Sequence, residues 1–500
     1  MSIVGGDLHS HIVAVPFTLL GLAVVLALLC WRPDASWRAY ATAVPLGILL
    51  GAPGAVNTFD EIWLWPVAAG AVALNARQHE GALRERWEAV QAPLLVLALA
   101  FLMYTPFYFS TGGRDLGAYP VVQNDNVRYP ATRLLHFLLH WGWLFFVTGS
   151  FVAARIVRHR AGVRRFAVAT CAAIPASIGL GWALLFLAQD AIGVPRLDTA
   201  SGFFDQLSAR GGAWWSALVA GSLLAGALLG LVLEEGTSND GEGRRGATFV
   251  LLLTAAGAAI ILGVEFLYVA DLDNTRFLTQ FKFSFGAWTL LAVASGAALF
   301  LIPGELSRFA PAVRSSWYAA AGLLLALALL TPLGAVPNRV RPYLETGEPF
   351  REPRSFDATA TYDPDDRAVI DWLRGQGGGQ SRTLAESVLD VDGRGDYSRV
   401  GRISGATGIP AVLGWPLHEK QWRPWLGDEI AVRNRDMDRL YRTAEPAEVS
   451  LIIERYGIDD IYVGRLERTV YGEAAMEKFE SYPVRFRHGG AVIYDTSAVP

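Results

Sequence analysis

The feature that most constrains the fold is a series of long apolar runs in the first two thirds of the chain. A helix needs roughly 20 mostly apolar residues to cross the hydrocarbon core of a bilayer. Ten runs match or approach that length: 12–31, 40–56, 61–76, 90–109, 131–153, 166–188, 213–233, 247–268, 285–302 and 316–334. The second and third are short and contain proline, so a broken or re-entrant pair of helices is an alternative there. The sequence therefore predicts an α-helical polytopic membrane domain of about ten transmembrane helices.

The basic residues predict how this domain is oriented. One alternating set of connections holds fourteen Lys and Arg residues, and the other set holds six. The richer set is 32–39, 77–89, 154–165, 234–246 and 303–315. The poorer set is the N-terminus, 57–60, 110–130, 189–212 and 269–284. Because an excess of Lys and Arg in short loops marks the cytoplasmic side, the poorer set is predicted to be extracytoplasmic.

The last third of the chain has a different composition, with more charged residues and shorter apolar segments. An even number of spans places it on the extracytoplasmic side. We predict a transmembrane domain at 1–334, a Pro- and Arg-rich linker at 335–355 and an extracytoplasmic α/β domain at 356–500. Helices are predicted at 363–373 and 446–456, and strands at 383–388, 460–463 and 491–494. This alternation indicates a small soluble domain with a partly parallel sheet.

Several classes of function are disfavoured by the sequence. The net charge is −4, and no basic patch is interleaved with aromatic residues, so nucleic acid is not a predicted partner. Cys30 and Cys171 both lie in apolar runs, where packing is the expected role of a cysteine. The sequence contains no Walker A loop, GxSxG elbow or HExxH motif.

Residues 264–283 carry ionisable side chains between two apolar runs: Glu265, Asp271, Asp273, Arg276 and Lys282. Ionisable residues at a hydrocarbon boundary are costly, which makes them candidates for function. A carboxylate of Asp271 or Asp273 suits a general base, and Arg276 with Lys282 suits a departing phosphate. The alternative is a loop of ion pairs that neutralise one another at the headgroup level.

A second cluster, Asp7, His9 and His11, stands at alternate positions before the first run. In an extended conformation these side chains share one face, which suits part of a divalent metal site for Mg or Mn, or a phosphate site. Asp60 follows a short run and is a candidate further ligand or catalytic carboxylate. The alternatives are a polar cap for the first cluster and helix capping for Asp60.

Trp415 and His418 lie in the segment GWPLHEKQW of the last third of the chain. Aromatic surfaces beside polar groups suit the stacking of a sugar ring. The equal alternative is a hinge that docks the soluble domain on the membrane domain.

Several segments together resemble the DUF2298 or "YYY" membrane protein family. They are GGDLHSHIVAVPFTLL at 5–20, NTFDEIW at 57–63, and the stretches 265–288, 396–423 and 446–468. The resemblance implies a multi-pass protein of the prokaryotic plasma membrane that is similar to glycosyltransferases of the GT-C class. Such enzymes take sugars from polyprenyl-phosphate donors at the outer face of the lipid bilayer, with catalytic carboxylates in extracytoplasmic loops.

The implied function is transfer of a sugar from a polyprenyl phosphate to an extracytoplasmic acceptor by an inverting displacement. The expected catalytic carboxylates are Asp7, Asp60, Asp271 and Asp273. The expected substrate-binding residues are His9, His11, Glu265, Arg276, Lys282, Trp415 and His418. Family members usually carry further helices before the GDLHSH segment, so a partner chain that supplies them is an expectation. The alternatives are an inactive half that needs this partner, and a non-enzymatic membrane carrier or envelope scaffold.

Overall fold

The fold is seen in a computed structural model that describes most of the chain. The described residues are 10–32, 34–78, 83–110, 118–120, 132–159, 164–172, 214–234, 241–269, 277–346, 362–376, 382–396 and 398–497. The chain divides into two compact units, with the principal boundary between Thr346 and Gly347. The first unit is helical, and the second combines short helices with a small sheet.

The helices of the first unit follow the apolar runs of the sequence. They are α1 Ser10–Leu29, α2 Trp37–Val56, α3 Thr58–Gln78, α4 Leu83–Leu102, α5 Thr105–Ser110, α6 Leu134–Arg158, α7 Trp215–Glu234, α8 Gly241–Phe266, α9 Phe277–Leu306 and α10 Pro311–Thr346. Residues 164–172 are helical as well. Helix α10 continues past residue 335, where the sequence predicts a linker.

Eight helical segments among the described residues are long and apolar enough to cross a membrane. They coincide with eight of the predicted runs, so the membrane domain is confirmed, whereas the count of ten is not. Of the other two runs, 61–76 is the helix α3, in which Asp60, Glu61 and Arg77 lower the hydropathy. The run 166–188 is described only as far as residue 172.

Small residues allow the helices of this unit to approach one another closely. A Cβ atom on Gly286 of α9 would lie 2.4 Å from Nε1 of Trp63 on α3. A Cβ atom on Gly257 of α8 would lie 2.7 Å from Cγ of Leu291 on α9. Because lipid tails are as apolar as the side chains they touch, such close packing is a main source of helix association in a bilayer.

The helix ends form two groups at the opposite ends of α9. Side chains from the first turns of α1, α3 and α9 contact one another at one end, and the last turns of α6, α7 and α9 meet at the other. Strand β1, Ala118–Pro120, pairs in antiparallel fashion with β2, Leu267–Val269, and so joins the connection 110–130 to the chain at the start of the connection 269–284. This grouping agrees with the alternation of basic and non-basic connections in the sequence.

The second unit contains a four-stranded sheet. Its strands are β3 Leu384–Ala385, β4 Asp460–Val463, β5 Val484–His488 and β6 Ala491–Asp495, in the order β3-β4-β6-β5. The β3–β4 pair is parallel and the other two pairs are antiparallel, which confirms a small, partly parallel sheet. The helices are α11 Pro364–Gly375, α12 Arg402–Thr407, α13 Pro416–Trp422, α14 Gly427–Arg442, α15 Pro446–Tyr456, α16 Arg465–Tyr471 and α17 Glu473–Met476, with short 3-10 turns at Pro424–Leu426 and Glu477–Ser481.

Candidate functional site at one end of the helical unit

A buried carboxylate marks the centre of the candidate site. Asp60 lies in the first turn of α3 and is 4% exposed. Its Oδ2 accepts a hydrogen bond of 3.0 Å from the hydroxyl of Thr18 on α1. Thr18 stands two turns after the start of α1, which is about 12 Å along the helix axis. Asp60 therefore points into the helical unit and does more than begin its own helix.

Lys282 brings a positive charge to the same end. Its Nζ donates to Oγ of Ser10, the first residue of α1, over 3.4 Å. The same atom lies 5.7 Å from the centre of the Phe59 ring, next to Asp60 in sequence. Burial disfavours the charged form of Asp60, and the Lys282 charge is the smallest of the contributions that oppose this effect. Three helices that are distant in sequence thus supply one acid, one base and two hydroxyls to one cluster, which we call the Asp60 cluster (Ser10, Thr18, Asp60 and Lys282).

His11 is a buried member of the first turn of α1, and its described contacts are with aromatic rings. It is 1% exposed, and its ring makes edge-to-face contacts with Phe281 and Phe285 of α9, at centroid distances of 4.5 and 5.1 Å. These apolar rings favour a packing role that holds the start of α1 against α9. Among the residues that the structure describes, no group of three His, Cys, Asp or Glu side chains is placed to hold a metal ion.

An apolar groove of about 640 Å³ lies among α3, α7, α8 and α9, and its lining comes close in sequence to the Asp60 cluster without including any of the four cluster residues. Trp63 of α3 and Phe283 of α9 line its near end, and Phe283 follows Lys282 directly in the sequence. The rings of Phe59 and Phe283 are in edge-to-face contact, with their centroids 5.6 Å apart. Along α8 the lining extends from Leu252 to Val264, which corresponds to about 18 Å of helix. Ile62 on α3, another lining residue, is half exposed, so the groove opens on the side of the helical unit.

Glu265 is placed at the same end of the unit but serves other helices. Its Oε2 accepts from the Ser216 hydroxyl at 2.9 Å and from the backbone N–H of Thr132 at 3.3 Å. The carboxylate, 2% exposed, therefore ties the end of α8 to the starts of α7 and α6. This contact favours a structural role at its Oε2 atom.

Five of the predicted site residues lie outside the described part of the chain. They are Asp7, His9, Asp271, Asp273 and Arg276. Their roles in catalysis, phosphate binding and metal binding remain predictions. The described residues nearest to them in sequence are Ser10 in the first turn of α1, Val269 at the end of β2, and Phe277 in the first turn of α9.

Trp415 and His418 are held by neighbours within the second unit. Nε1 of Trp415 donates to the carbonyl oxygen of Val400 at 2.7 Å. Nδ1 of His418 lies 3.2 Å from a carboxylate oxygen of Asp396, and the two rings are 5.1 Å apart. These contacts fix both rings in position, and the predicted stacking of a sugar on them remains a prediction.

A second buried cluster of charges, which the sequence did not single out, lies at the opposite end of the helical unit. Arg155 of α6 donates from Nε to Glu234 of α7 at 2.7 Å and from Nη1 to Glu305 of α9 at 2.8 Å. His159 approaches Glu234 at 3.0 Å, and Arg158 approaches Glu305 at 3.1 Å. The sequence feature that could have predicted this cluster is the presence of opposite charges near the ends of different apolar runs. This cluster binds three helices together.

The comparison with known families agrees with this membrane architecture. A family model described as "Uncharacterized membrane protein (DUF2298)" matches residues 2–291, more than half of the chain. The match covers the helices that build the Asp60 cluster, from α1 through the first half of α9. No curated protein and no solved structure matches the chain. On the strength of the family match, the chain belongs to the DUF2298 family of membrane proteins.

Proposed function

We propose that the protein is a membrane glycosyltransferase of the GT-C type that uses a polyprenyl-phosphate-linked sugar. The observation that carries the proposal is that Asp60 and Lys282 stand near the starts of α3 and α9, within one helical turn of the groove-lining residues Trp63 and Phe283. This arrangement suits a lipid with an anionic headgroup, because the groove can accommodate the apolar lipid tail and Lys282 can pair with the phosphate. The proposed location is the prokaryotic plasma membrane, with the reaction on the extracytoplasmic side.

Lys282 is the proposed contact for the donor phosphate. An ammonium group near the bridging oxygen stabilises the negative charge that develops when polyprenyl phosphate departs. Arg276 precedes α9 by one residue and is proposed to contact the same phosphate. The groove between α3, α7, α8 and α9 is proposed to hold the first isoprene units of the lipid.

A carboxylate is the proposed general base of the reaction. The acceptor hydroxyl attacks the anomeric carbon, the bond from that carbon to the phosphate oxygen breaks, and the acceptor proton passes to the carboxylate. Asp60, Asp271 and Asp273 are the candidates, and Thr18 orients Asp60 through its hydrogen bond. Asp7 and His9, with Asp60, are proposed to bind a Mg or Mn ion, which would neutralise phosphate charge. His11, Glu265, Trp415 and His418 complete the proposed set as supports of the site and of the acceptor.

The proposal is tested by sugar transfer in proteoliposomes that contain the full-length protein. A panel of radiolabelled polyprenyl-phosphate hexoses serves as donor, and an envelope extract supplies acceptors. We expect that replacing the essential carboxylate, by Asp60→Asn, Asp271→Asn or Asp273→Asn, lowers turnover by about 100-fold or more. Lys282→Gln is expected to weaken donor binding. Turnover that is unchanged in all three carboxylate variants would overturn the catalytic assignment.

The lipid part of the proposal has a separate test that needs no turnover. Gly263 lines the groove, and a Cβ atom added to it would have no other atom within 4 Å, so Gly263→Trp fills the groove without an immediate clash. Gly296 of α9 has equally open surroundings and does not line this groove, which makes Gly296→Trp the matched control. Native mass spectrometry should show less bound polyprenyl phosphate for Gly263→Trp and an unchanged amount for the control. Equal binding by both variants would exclude the groove as the lipid site.

A further inference from the structure

Within ten residues, the second unit exposes three large apolar side chains and two basic ones. Three of the six large apolar side chains that are exposed in its described residues fall within 417–426. They are Leu417, Trp425 and Leu426, of which Trp425 is 64% exposed. Lys420 and Arg423 lie between them in sequence and are exposed as well. We call these five residues the α13 surface.

The backbone beneath the α13 surface is firmly held. The Asp396 carboxylate accepts hydrogen bonds from the backbone N–H groups of Leu417 and His418, at 3.1 and 3.0 Å. Backbone bonds continue from Arg423 to Glu419 at 2.8 Å and from Leu426 to Arg423 at 2.9 Å. The exposed side chains therefore stand on an ordered helix and 3-10 turn. Their exposure is a property of a folded segment, and burying them in a partner requires little ordering of the backbone.

We propose that the α13 surface rests in the headgroup layer of the bilayer to which this unit is attached. Tryptophan is enriched at membrane interfaces because its ring is apolar while its N–H group hydrogen-bonds. Leucine side chains enter the boundary between headgroups and acyl chains, and Lys and Arg meet the phosphates of anionic lipids. The unit follows the membrane helix α10 in sequence, so it is covalently tethered to a bilayer. Anionic phospholipid is thus the partner whose chemistry matches all five side chains.

A nitroxide spin label on the full-length protein can show whether the α13 surface contacts lipid, water or protein. Cys30 and Cys171 are replaced by alanine, and a nitroxide is attached at Leu417→Cys. The matched control is Leu451→Cys on α15, where the leucine is 63% exposed, its i+3 neighbour is Glu454, and Arg455 at i+4 is paired with Asp436. Both proteins are placed in nanodiscs of phosphatidylcholine with phosphatidylglycerol. Accessibility to oxygen, which concentrates in lipid, is compared with accessibility to a water-soluble nickel chelate.

The proposal requires that the label at position 417 be more accessible to oxygen than to nickel, and that the label at 451 show the reverse. A label at 417 that is as accessible to nickel as the control would show that the surface faces water. A label at 417 that is immobile and shielded from both reagents would show that it is covered by protein. Either result overturns the proposal.

The charge part is tested with the same label. The Lys420→Gln and Arg423→Gln double variant should lower the ratio of docked to undocked protein in anionic nanodiscs by roughly tenfold or more. The ratio should change little in nanodiscs of phosphatidylcholine alone. Circular dichroism and the thermal midpoint check that the variant is folded. An unchanged ratio in the anionic nanodiscs contradicts a role of these two side chains in lipid binding.

Discussion

At the scale of single residues, the hydrogen bond between Thr18 and Asp60 makes a testable contribution to stability. Thr18→Val keeps the shape of the side chain but removes the donor, which leaves a buried carboxylate short of one partner. We expect the free energy of unfolding to fall by about 1–3 kcal/mol. The measurement is equilibrium unfolding in detergent micelles.

Thr18→Ser is the matched control because it keeps the hydroxyl and removes only a methyl group. It should retain most of the stability that Thr18→Val loses. Equal losses in the two variants would mean that the methyl group, and not the hydrogen bond to Asp60, carries the effect.

Lys478 in the second unit predicts a pH effect. Burial lowers the pKa of Lys478 from its ordinary value of 10.5 to about 8, while the negative charge of Glu448 opposes this shift. Between these two values the unfolded chain holds a proton that the folded chain has released, so unfolding takes up a proton. For this group, raising the pH through the window from 8 to 10.5 therefore favours the folded state.

The midpoint can be measured by amine acylation of the folded full-length protein as a function of pH. Modification of the peptide that contains Lys478 should rise with a midpoint near pH 8. Mass spectrometry identifies the peptide without ambiguity, because Lys282 and Lys420 are the other two lysines of the chain. A midpoint close to 10.5 would contradict the effect of burial on this side chain.

The candidate site shows how far residue-by-residue inference from sequence extends. The ionisable members, Asp60 and Lys282, are visible in the sequence because charge at a membrane boundary is expensive. Ser10 and Thr18 are not, because a hydroxyl in an apolar helix can satisfy itself on its own backbone. Their role depends on which helices are neighbours, and that information is in the tertiary packing of α1 against α3 and α9.

At the scale of elements, alanine substitutions at two glycines of α9 distinguish the contribution of helix packing to stability from that of helix propensity. Gly286→Ala places a methyl group 2.4 Å from the Trp63 indole nitrogen, so the Trp63 ring must shift or α3 and α9 must move apart. We expect a loss of about 1–3 kcal/mol in the free energy of unfolding. Gly296→Ala, on the same helix with no atom within 4 Å, should be neutral or gain up to about 1 kcal/mol.

Unfolding in mixed micelles compares the two alanine variants directly. Because both changes add the same methyl group to the same helix, propensity cancels in the difference. If the two variants had the same stability, the close approach of α3 and α9 at Gly286 would be wrong.

Helices and strands of the second unit were predictable where the local sequence pattern matches the structure that the residues adopt in the folded unit. The helix Pro446–Tyr456 and the strand Asp460–Val463 have the predicted bounds, helped by Pro446 at the start and Gly457 in the left-handed conformation at the helix end. The strand at 383–388 shortens to Leu384–Ala385. Beyond Ala385 the backbone leaves the sheet, since the N–H group of Ser387 donates to the side-chain carboxylate of Glu467 at 3.2 Å.

Strand β5, Val484–His488, was missed for a different reason. Its sequence VRFRH has few apolar residues and no side chain of the strand is fully buried. It forms the edge of the sheet beside β6, where solvent accepts polar side chains. The apolar side chain of Phe486 packs within the unit: its ring stacks on Trp372 of α11, with the ring centroids 4.6 Å apart. An edge strand of this kind is specified by its neighbour more than by its own pattern.

At the scale of the whole molecule, the orientation in the membrane is a prediction from the basic residues. In a chain whose two cysteines are replaced by alanine, we introduce Ala474→Cys in the second unit and Ala310→Cys between α9 and α10. Both alanines are exposed. A membrane-impermeant maleimide should label position 474 in intact bacterial cells and position 310 only after permeabilisation, because 303–315 belongs to the basic set of connections.

Labelling of both positions in intact cells would show that the number of spans between them is even. Labelling of position 310 alone would reverse the predicted orientation. In either case the Asp60 cluster would be assigned to the other compartment or separated from the second unit. The grouping of helix ends within the helical unit would stand, because it depends on contacts and not on the side that they face.

The three-helix charge cluster has a consequence for the order in which the chain is made. Synthesis delivers α6, with Arg155, before α7 with Glu234 and α9 with Glu305. The guanidinium of Arg155 is therefore already in the bilayer when each carboxylate leaves the translocon. Each glutamate can form its ion pair soon after insertion, which limits the cost of an unpaired charge in the membrane. If α6 is absent or reversed, both later helices carry an uncompensated acid. The cluster that binds three helices in the folded protein therefore favours insertion of α7 and α9 beside an α6 that is already in place.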